Sequence, residues 1–530
     1  MEISAKLRIV LGALLFALVV FHCFFTGLGK LGLVGPDEPR YASIAREMAR
    51  SGDWVTPRLN GSPWFEKPPL HYWSAAIGFR LFASPEVAAR APCGVFALCA
   101  VLGIVLVGLR VYGASTARAL GWMLPASVAM IGFARAAATD MPFAACLTLS
   151  MCAAAPLLLD DQPAHPAVWA AAFGAALGLA VLAKGPAALI LSGGSTALWA
   201  VARGDFRRSF RLLHPAAIAV FLLVALPWYV LCAMRNAEFL RVFLVEHNVE
   251  RFLTNRYQHH QPFWFYFPIL LLAVFPWTLL LIPAIADGWR ALRSANWRQS
   301  PGAYFAGWVI FPFLFFSAAQ SKLPGYILPA VPPLILLLSR AMVRDEPLSP
   351  SLARARLLWV TAALLAGGIA AVIRSNGSLP SPAAQQPLGL VGVTLIFGAG
   401  IVVLAGAWRA LRQSAAAASL VISLAAGLAA NHLLPALDAQ ISPRAVAIRA
   451  QGLGPLCQTY HLARSWQYGL EFYLQDPVKQ WSAGAPRPIW IITDDVGRAQ
   501  LTAQGWPLIA HGPETPRATL FRVGPVLPTR

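Results

Sequence analysis

The feature that most constrains this chain is a series of apolar segments of about 20 residues, each long enough to cross a bilayer. They recur over the first four-fifths of the 530 residues, of which 58% are hydrophobic and 12% charged. A soluble domain carries about 25% charged residues. We therefore expect an all-α polytopic membrane protein rather than a soluble one.

The length criterion gives about 13 transmembrane helices. We place them near residues 8–28, 92–110, 118–134, 141–159, 167–183, 186–202, 214–234, 264–286, 303–318, 325–340, 356–373, 388–407 and 415–434. Residues 1–434 are then a transmembrane domain, and residues 435–530 form a separate C-terminal domain.

Arginine distribution indicates the orientation of these spans. With a cytoplasmic N-terminus, the cytoplasmic connections carry most of the arginines: Arg110, Arg118, Arg203, Arg207, Arg208, Arg211, Arg290, Arg293, Arg298, Arg340, Arg344, Arg354, Arg356, Arg409 and Arg412. The short connections on the other side carry few cations: Arg135, Lys184, Lys322 and Arg374. This is the positive-inside pattern. It explains the net charge of +19 without nucleic-acid binding, and an odd number of spans places residues 435–530 outside the cytoplasm.

Two long loops, residues 29–91 and 235–263, fall on the outer side. The first contains Asp37 and Glu38, followed by an amphipathic helix in which Tyr41 lies on the apolar face and Gly52 is the stop signal. Pro39 suits the first position of that helix, with Asp37 or Glu38 as its cap. Residues 70–82 form a second helix-like stretch after two prolines. Both helices are expected at the membrane interface.

The C-terminal domain has the pattern of a small α/β module. LCQTYHL, PIWIIT and TLFRV resemble strands, and SWQYGLEFYL resembles a helix. The module contains no catalytic motif that we can identify.

Ionisable residues at membrane segments are costly and are therefore candidates for function. On the outer side they are Asp37, Glu38, Glu66, Lys67, Arg135, Asp140, Lys184, Glu246, His247, Arg251 and Lys322, with Tyr326 beside them. They are distant in sequence, but the expected topology brings them to one membrane face. Cations mixed with carboxylates suit an anionic phosphate next to an acid/base centre.

Each candidate also has a purely structural interpretation. Asp140 could cap a helix, and Lys184 and Lys322 could extend to the membrane surface. His247 could be an ordinary surface histidine, and Glu66 with Lys67 an exposed ion pair of little energetic weight. The Asp37–Glu38 pair is harder to explain in this way, because one carboxylate suffices for a cap.

No nucleotide-binding motif has the context that it requires. Residues 27–32 match G-x-G-x-x-G, but they follow a membrane span and no βαβ unit surrounds them. A transferase acting outside the cytoplasm has no nucleotide sugar there. A donor carried on a polyprenyl phosphate would remove that difficulty.

Four ordered blocks carry a resemblance to a known family: GPDEPRYASIAREMARSGDW, NGSPWFEKPPLHYW, EHNVERF and SKLPGYILP. Together they resemble the aminoarabinose transferases, within the protein-O-mannosyltransferase-like class of membrane glycosyltransferases with the GT-C fold. The resemblance covers roughly residues 5–345. It implies transfer of 4-amino-4-deoxy-L-arabinose from undecaprenyl phosphate to lipid A phosphates, with inversion at the anomeric carbon. The resemblance also implies that the protein lies in the bacterial inner membrane and that its activity results in polymyxin resistance. We expect the protein to be a monomer.

The same resemblance implies roles for individual residues. Asp37 and Asp140 would be catalytic. Five residues would bind the donor phosphate: Lys67, Arg251, Tyr326, Arg40 and Tyr41. Substrate or acceptor contacts would come from Glu38, Lys184 and Lys322. No cofactor is required by the sequence, although a divalent ion, if present, would be held by Glu66 and His247.

Two alternatives remain open at the sequence level. One is a related polyprenyl-phosphate transferase that moves mannose, galactosamine or glucose to a protein or glycan. The other is a lipid-linked sugar flippase or transporter. A transporter should place its ionisable groups at the membrane midplane, whereas those of this chain are expected at the outer edge.

Overall fold

Helices account for most of the chain. The computed structural model describes residues 5–243, 261–294, 296–343, 350–377, 381–409, 411–482 and 485–524. Within these ranges the α-helices are α1 Ala5–Val20, α2 Asp37–Ser51, α3 Leu70–Leu81, α4 Pro85–Tyr112, α5 Ala114–Met123, α6 Val128–Ala134, α7 Asp140–Leu159, α8 Pro166–Lys184, α9 Ala187–Arg203, α10 Pro215–Arg235, α11 Tyr266–Ala273, α12 Leu281–Leu292, α13 Pro301–Ala318, α14 Val331–Val343, α15 Pro350–Ser375, α16 Gln385–Arg409, α17 Leu411–Leu428, α18 Leu434–Ile441, α19 Arg444–Ala450, α20 Arg464–Leu474 and α21 Asp495–Ala503. The strands are β1 Arg58–Leu59, β2 Ser62–Pro63, β3 Cys457–Tyr460, β4 Trp490–Thr493, β5 Leu508–Ala510 and β6 Thr519–Val523.

Eight of the described helical segments are long and apolar enough to cross a membrane, or up to ten if each of two bent pairs counts as one span. Three shorter apolar helices, Val10–Phe25, Ala187–Arg203 and Val360–Ser375, coincide with further expected spans. The predicted all-α membrane fold with a small C-terminal α/β unit is confirmed. The number 13 stays a prediction.

Two expected spans are broken. The segment predicted at 118–134 consists of α5 and α6, bent by 57°. The segment predicted at 264–286 bends by 108° between Phe263–Ala273 and Trp277–Leu292. Pro125 and Pro276 stand in the two breaks. Because proline has no N–H to donate to the preceding turn, a helix bends or ends there.

The first long loop folds into a compact layer of two helices and a short hairpin. The apolar face of α2 buries Tyr41 and Met48 against Tyr72 of α3. Gly52 ends α2 with φ 73°, as predicted. The predicted start of α2 was wrong: the helix begins at Asp37, neither carboxylate caps it, and Pro39 is its third residue. Pro39 fits there because the first turn of a helix needs no N–H donors.

The C-terminal unit contains a four-stranded sheet in the order β3-β4-β6-β5. β3 and β4 are parallel, with Cys457 opposite Trp490, and the other two pairs are antiparallel. The three predicted strands and the predicted helix, α20, are present. β5 and α21 were not predicted, because a three-residue edge strand and a nine-residue helix leave little periodicity in the sequence.

Candidate active site

The candidate residues meet where several helices begin or end. Asp140 is the first residue of α7, Lys184 is the last residue of α8, and Asp37 is the first residue of α2. Tyr326 lies in a short 3-10 helix, Pro324–Ala330. Residues at the opposite ends of α4 and α7 form a different group, in which Arg110 is paired with Asp160. These described residues therefore lie together at one end of the helices, as predicted, and the side of the membrane that this end faces stays a prediction.

Arg40 is the centre of the first part of the site. Its Nη2 donates to Asp37 Oδ1 at 2.6 Å and lies 3.1 Å from Glu66 Oε2. Lys67 Nζ is 3.6 Å from Glu66 Oε1. We call Asp37, Arg40, Glu66 and Lys67 the Arg40 cluster. Glu66 and Lys67 are only 9% and 11% exposed, so the alternative of an exposed surface pair does not apply.

Aromatic rings surround the Arg40 guanidinium. Its carbon lies 5.1 Å from the ring centre of Tyr41, 5.6 Å from that of Trp64 and 5.7 Å from that of Tyr468. Such rings attract a cation and hold it in place. Because Tyr468 belongs to α20, the C-terminal unit contributes directly to this cluster.

Three buried polar atoms beside the cluster have no hydrogen-bond partner among the described residues. They are Arg40 Nε, Trp64 Nε1 and the Tyr72 hydroxyl oxygen. Buried polar groups in native proteins are normally paired, so an unpaired set is unusual and needs an explanation. A polar ligand such as a sugar or phosphate supplies oxygen atoms that suit these donors.

Lys184 and Asp140 form the second part of the site. Lys184 Nζ donates to Asp140 Oδ1 at 2.6 Å and lies 4.5 Å from the ring centre of Tyr326. The capping interpretation of Asp140 is wrong, because its carboxylate accepts from Lys184 and makes no cap hydrogen bond. Lys184 likewise points to Asp140 rather than to the membrane surface.

Gly325 brings its backbone against the Asp140 carboxylate. A Cβ atom at this position would lie 2.6 Å from Asp140 Oδ1, well inside van der Waals contact. The glycine in SKLPGYILP is therefore required by the close approach of two site segments, which no local sequence pattern reveals.

Electrostatics connect the two parts. Asp37 retains 46% of its side-chain exposure, but the surrounding protein displaces enough water to raise its pKa above the usual value. The negative charges of Glu66 and Asp140 raise this pKa further, while Arg40 and Lys67 oppose the rise. The charge of Asp140 therefore influences the pKa of Asp37 across the site.

Glu38 was predicted to contact the substrate or the acceptor molecule, but the structure gives it other partners. Its carboxylate is buried, pairs with Arg90 Nη2 at 2.6 Å, and accepts from the backbone N–H groups of Val34 and Ala137. Burial alone opposes its ionisation, but Arg90 and these hydrogen bonds hold the Glu38 pKa below its usual value. Glu38 therefore joins the first loop to α4. Sequence reasoning missed Arg90, because it lies at the edge of an expected span.

Two further cations of the predicted set contact backbone carbonyl groups instead. Lys322 is 5% exposed, and its Nζ donates to the carbonyl oxygens of Gln261 and Ala319 at 3.0 and 2.5 Å. Arg135 donates to the carbonyl oxygen of Thr26 at 2.6 Å. These contacts differ from the carrier or acceptor contact predicted for Lys322.

Three predicted residues of the second long loop, Glu246, His247 and Arg251, lie outside the described residues. Their predicted roles stay predictions. The cavity that borders the described part of this loop has a volume of about 440 Å³. Its lining residues are Pro63, Trp64, Phe65, Glu66, Asn236, Ala237, Glu238 and Val242.

The possible metal site at Glu66 and His247 stays a prediction, because His247 lies outside the described residues. Glu66 faces two cations, Arg40 and Lys67, whose charges repel a metal ion. Over the described ranges no group of three or more His, Cys, Asp or Glu side chains is placed to hold one.

Sequence reasoning missed four residues that the structure places at the site. Trp64 and Tyr72 lie within the quoted loop motif, where their aromatic character was the available signal. No sequence signal identifies Gly325 or Tyr468, because their positions at the site depend on contacts between distant segments.

Comparisons with known sequences match large parts of the chain. The family described as dolichyl-phosphate-mannose-protein mannosyltransferase matches residues 9–243. A protein of Pseudomonas aeruginosa (strain UCBPP-PA14) named undecaprenyl phosphate-alpha-4-amino-4-deoxy-L-arabinose arabinosyl transferase is 34% identical over 430 residues, 79% of this chain and 76% of its own length. The protein of the same name from Edwardsiella ictaluri (strain 93-146) is 35% identical over 316 residues, 57% of this chain and 54% of its own length.

The fold matches solved structures as well. The crystal structure of ArnT from Cupriavidus metallidurans bound to undecaprenyl phosphate has a TM-score of 0.81 and 25% sequence identity, with 98% of both chains covered. The apo structure of the same protein has a TM-score of 0.80. The similarity therefore extends over the C-terminal unit, beyond the residues that the sequence motifs cover.

Proposed function

Because this chain belongs to the family of undecaprenyl phosphate-α-4-amino-4-deoxy-L-arabinose arabinosyl transferases, we propose that it transfers 4-amino-4-deoxy-L-arabinose from undecaprenyl phosphate to a phosphate of lipid A. The reaction takes place at the periplasmic face of the bacterial inner membrane. In this proposal the N-terminus is cytoplasmic and residues 435–530 are periplasmic.

One observation carries the proposal: charged groups from distant parts of the chain converge at one end of the helices. The Arg40 cluster comes from the first loop, and the Asp140–Lys184 pair joins α7 to α8. Together they provide three carboxylates and three cations. Such a site can neutralise a phosphate while orienting a sugar through its hydroxyl and amino groups.

The proposed reaction is a single displacement. An oxygen of the acceptor phosphate forms a bond to the anomeric carbon as the bond from that carbon to the undecaprenyl phosphate oxygen breaks. The electron pair of the broken bond stays on the leaving phosphate. Arg40 and Lys67, with the Tyr326 hydroxyl and Arg251, stabilise the negative charge that develops there. The anomeric configuration inverts.

Asp37 acts by position and charge rather than as a base. A phosphate acceptor is already anionic at neutral pH, so no proton needs to be removed from it. Asp37 accepts a hydrogen bond from a sugar hydroxyl, and Asp140 accepts one from the sugar ammonium group. The Lys184 ion pair holds Asp140 in place for this contact.

Reconstitution tests the proposal. Purified protein in proteoliposomes would receive undecaprenyl phosphate-linked aminoarabinose and lipid A, and the products would be analysed by mass spectrometry. We expect lipid A to gain one aminoarabinose residue. Parallel reactions would offer lipid-linked mannose, galactosamine or glucose, with protein or glycan acceptors.

The controls separate the alternatives. If another sugar is transferred and aminoarabinose is not, that sugar is the substrate and the proposed substrate is wrong. Movement of the intact lipid-linked sugar between leaflets without any transfer would indicate a flippase and contradict the proposal.

A further inference from the structure

We propose that Tyr468, in the C-terminal unit, is a positioning residue for the transfer reaction, because its ring holds the Arg40 guanidinium between Asp37 and Glu66. This inference rests on the proposed function and goes beyond it, since it assigns the C-terminal unit a part in the chemistry.

The Arg40 guanidinium contacts two carboxylates, Asp37 and Glu66, at once, so its side chain must be held in one conformation. Arginine has a long flexible stem, and holding it in one rotamer costs conformational entropy. The ring centres of Tyr41, Trp64 and Tyr468 lie 5.1–5.7 Å from its guanidinium carbon. Tyr41 and Trp64 come from the same loop as Arg40, whereas Tyr468 comes from the C-terminal unit.

Helix α20 is attached along α2, which fixes the place of Tyr468. Arg46 Nη1 donates to the Phe472 carbonyl oxygen at 2.9 Å, and its guanidinium carbon lies 4.2 Å from the Phe472 ring centre. Arg50 donates to Gln475 at 2.8 Å. Tyr468 and Phe472 are four residues apart and therefore lie on one face of α20. This face of α20 therefore contacts α2 through Phe472 and contacts Arg40 through Tyr468.

A second set of contacts secures the unit at its base. Arg444 pairs with Asp438 at 2.8 Å and with Glu86 at 3.1 Å, and it also donates to the carbonyl oxygen of Gly29. The Tyr473 hydroxyl donates to Glu86 and accepts from the N–H of Leu33. Both sets of contacts therefore join the unit to the first long loop, which contains α2.

The ring and the hydroxyl of Tyr468 make different kinds of contact. The hydroxyl accepts from Arg464 Nε at 2.8 Å, whereas the ring centre lies 5.7 Å from the guanidinium carbon of Arg40 and 5.3 Å from that of Arg464. Phenylalanine at this position would keep both ring contacts and lose only the hydrogen bond from Arg464. Leucine or methionine would remove the π face, which is the feature that attracts a cation.

The experiment compares Tyr468→Leu, Tyr468→Met and Tyr468→Phe with the wild-type protein, and uses Lys479→Ala, an exposed residue of the same unit, as a matched control. Transfer kinetics and the Kd of undecaprenyl phosphate are both measured. We expect the Leu and Met variants to lose about tenfold in kcat/KM, as loss of a partly desolvated cation–π contact implies. The Phe and Lys479 variants should stay within about twofold of wild type.

A double variant shows whether Tyr468 acts through Arg40. Tyr468→Leu should weaken undecaprenyl phosphate binding in the wild-type background and have no further effect in an Arg40→Gln background. Thermal unfolding of each variant establishes that it is folded.

The inference fails if the Leu and Met variants keep wild-type kcat/KM, if the Phe variant loses as much as they do, or if the effects of Tyr468→Leu and Arg40→Gln simply add. Absence of transfer by the wild-type protein would contradict the proposed function instead. The two failures are therefore distinguishable.

Discussion

At the scale of single residues, carboxylates that are similar in sequence have different tasks. Asp37 and Glu38 are adjacent, yet Asp37 faces the site through Arg40 and Glu38 is buried against Arg90. Successive helical residues point about 100° apart, so neighbours on α2 reach different surroundings. Surroundings, rather than residue type, determine which of the two carboxylates is available to a substrate.

We expect Asp37→Asn to abolish detectable transfer, with a loss of at least about 100-fold in kcat, because the amide cannot supply the negative charge. Folding should be unchanged, since Asp37 is half-exposed and does not cap α2. Mass spectrometry of products and thermal unfolding of the purified variant measure the two quantities. Normal activity in a folded variant would refute the role of Asp37.

The raised pKa of Asp37 has a consequence for the pH dependence of activity. If the ionised form is required, kcat/KM declines as the pH falls through a pKa that lies above 3.8, the usual value for aspartate. Glu66 contributes to the rise, so Glu66→Gln should move the acidic limb of the profile to lower pH. If the acidic limb of the profile does not move in Glu66→Gln, the group that titrates is the substrate phosphate and not Asp37, contrary to our expectation.

Glu38→Gln should destabilise the protein by about 3–5 kcal/mol, because it leaves the buried Arg90 charge uncompensated. The folded-state pKa of Glu38 is lowered. Its contribution to stability is therefore present above the unfolded value of about 4.5 and is lost as the pH falls through the folded value. Thermal unfolding at neutral pH tests the effect, with Glu47→Gln on the same helix as control. Equal melting temperatures for the two variants would contradict it.

At the scale of elements, the site is built from the ends of helices. α7 begins at Asp140, α8 ends at Lys184, and the 3-10 helix Pro324–Ala330 brings Gly325 against the Asp140 carboxylate. Ends are suitable because a helix holds its terminal side chains on a rigid support while leaving them accessible.

Gly325→Ala should displace the Asp140 carboxylate, since the new Cβ would lie 2.6 Å from Oδ1. Misplacement on the scale of 1 Å can cost about 100-fold in rate, so we expect a loss of about 10- to 100-fold in kcat. Gly193→Ala in α9 is the matched control, because a Cβ there meets no atom within 4 Å. Equal activity of the two variants would show that Asp140 tolerates the displacement.

At the scale of the whole molecule, the C-terminal unit and the first long loop act as one structure. The Arg46, Arg50 and Arg444 contacts join them across more than 400 residues of sequence. The unit is thus placed over α2 and beside the site. In the proposed orientation both lie in the periplasm.

Labelling with a membrane-impermeant maleimide tests this orientation. In intact spheroplasts, Lys479→Cys should react, because the residue is exposed on the C-terminal unit. Arg207→Cys, also exposed but at the opposite end of the helices, should react only after the membrane is opened. The unsubstituted protein measures labelling of the native cysteines. The reverse pattern would invert the topology.

Sequence patterns alone were sufficient to predict the membrane fold, the C-terminal α/β unit, helices α2 and α3, and the grouping of Asp37, Lys67, Asp140 and Lys184 at one end of the helices. Span length, charge asymmetry and 3.6-residue periodicity are local properties, and each can be read without knowing what a segment packs against.

Which charges pair, and with which partners, became known only from the three-dimensional structure. The burial of Glu38 against Arg90, the approach of Gly325 to Asp140, and the contact of Tyr468 with Arg40 all depend on segments that are distant in the chain. The physical reason is that electrostatic and packing energies depend on distances in space, which local sequence patterns do not contain.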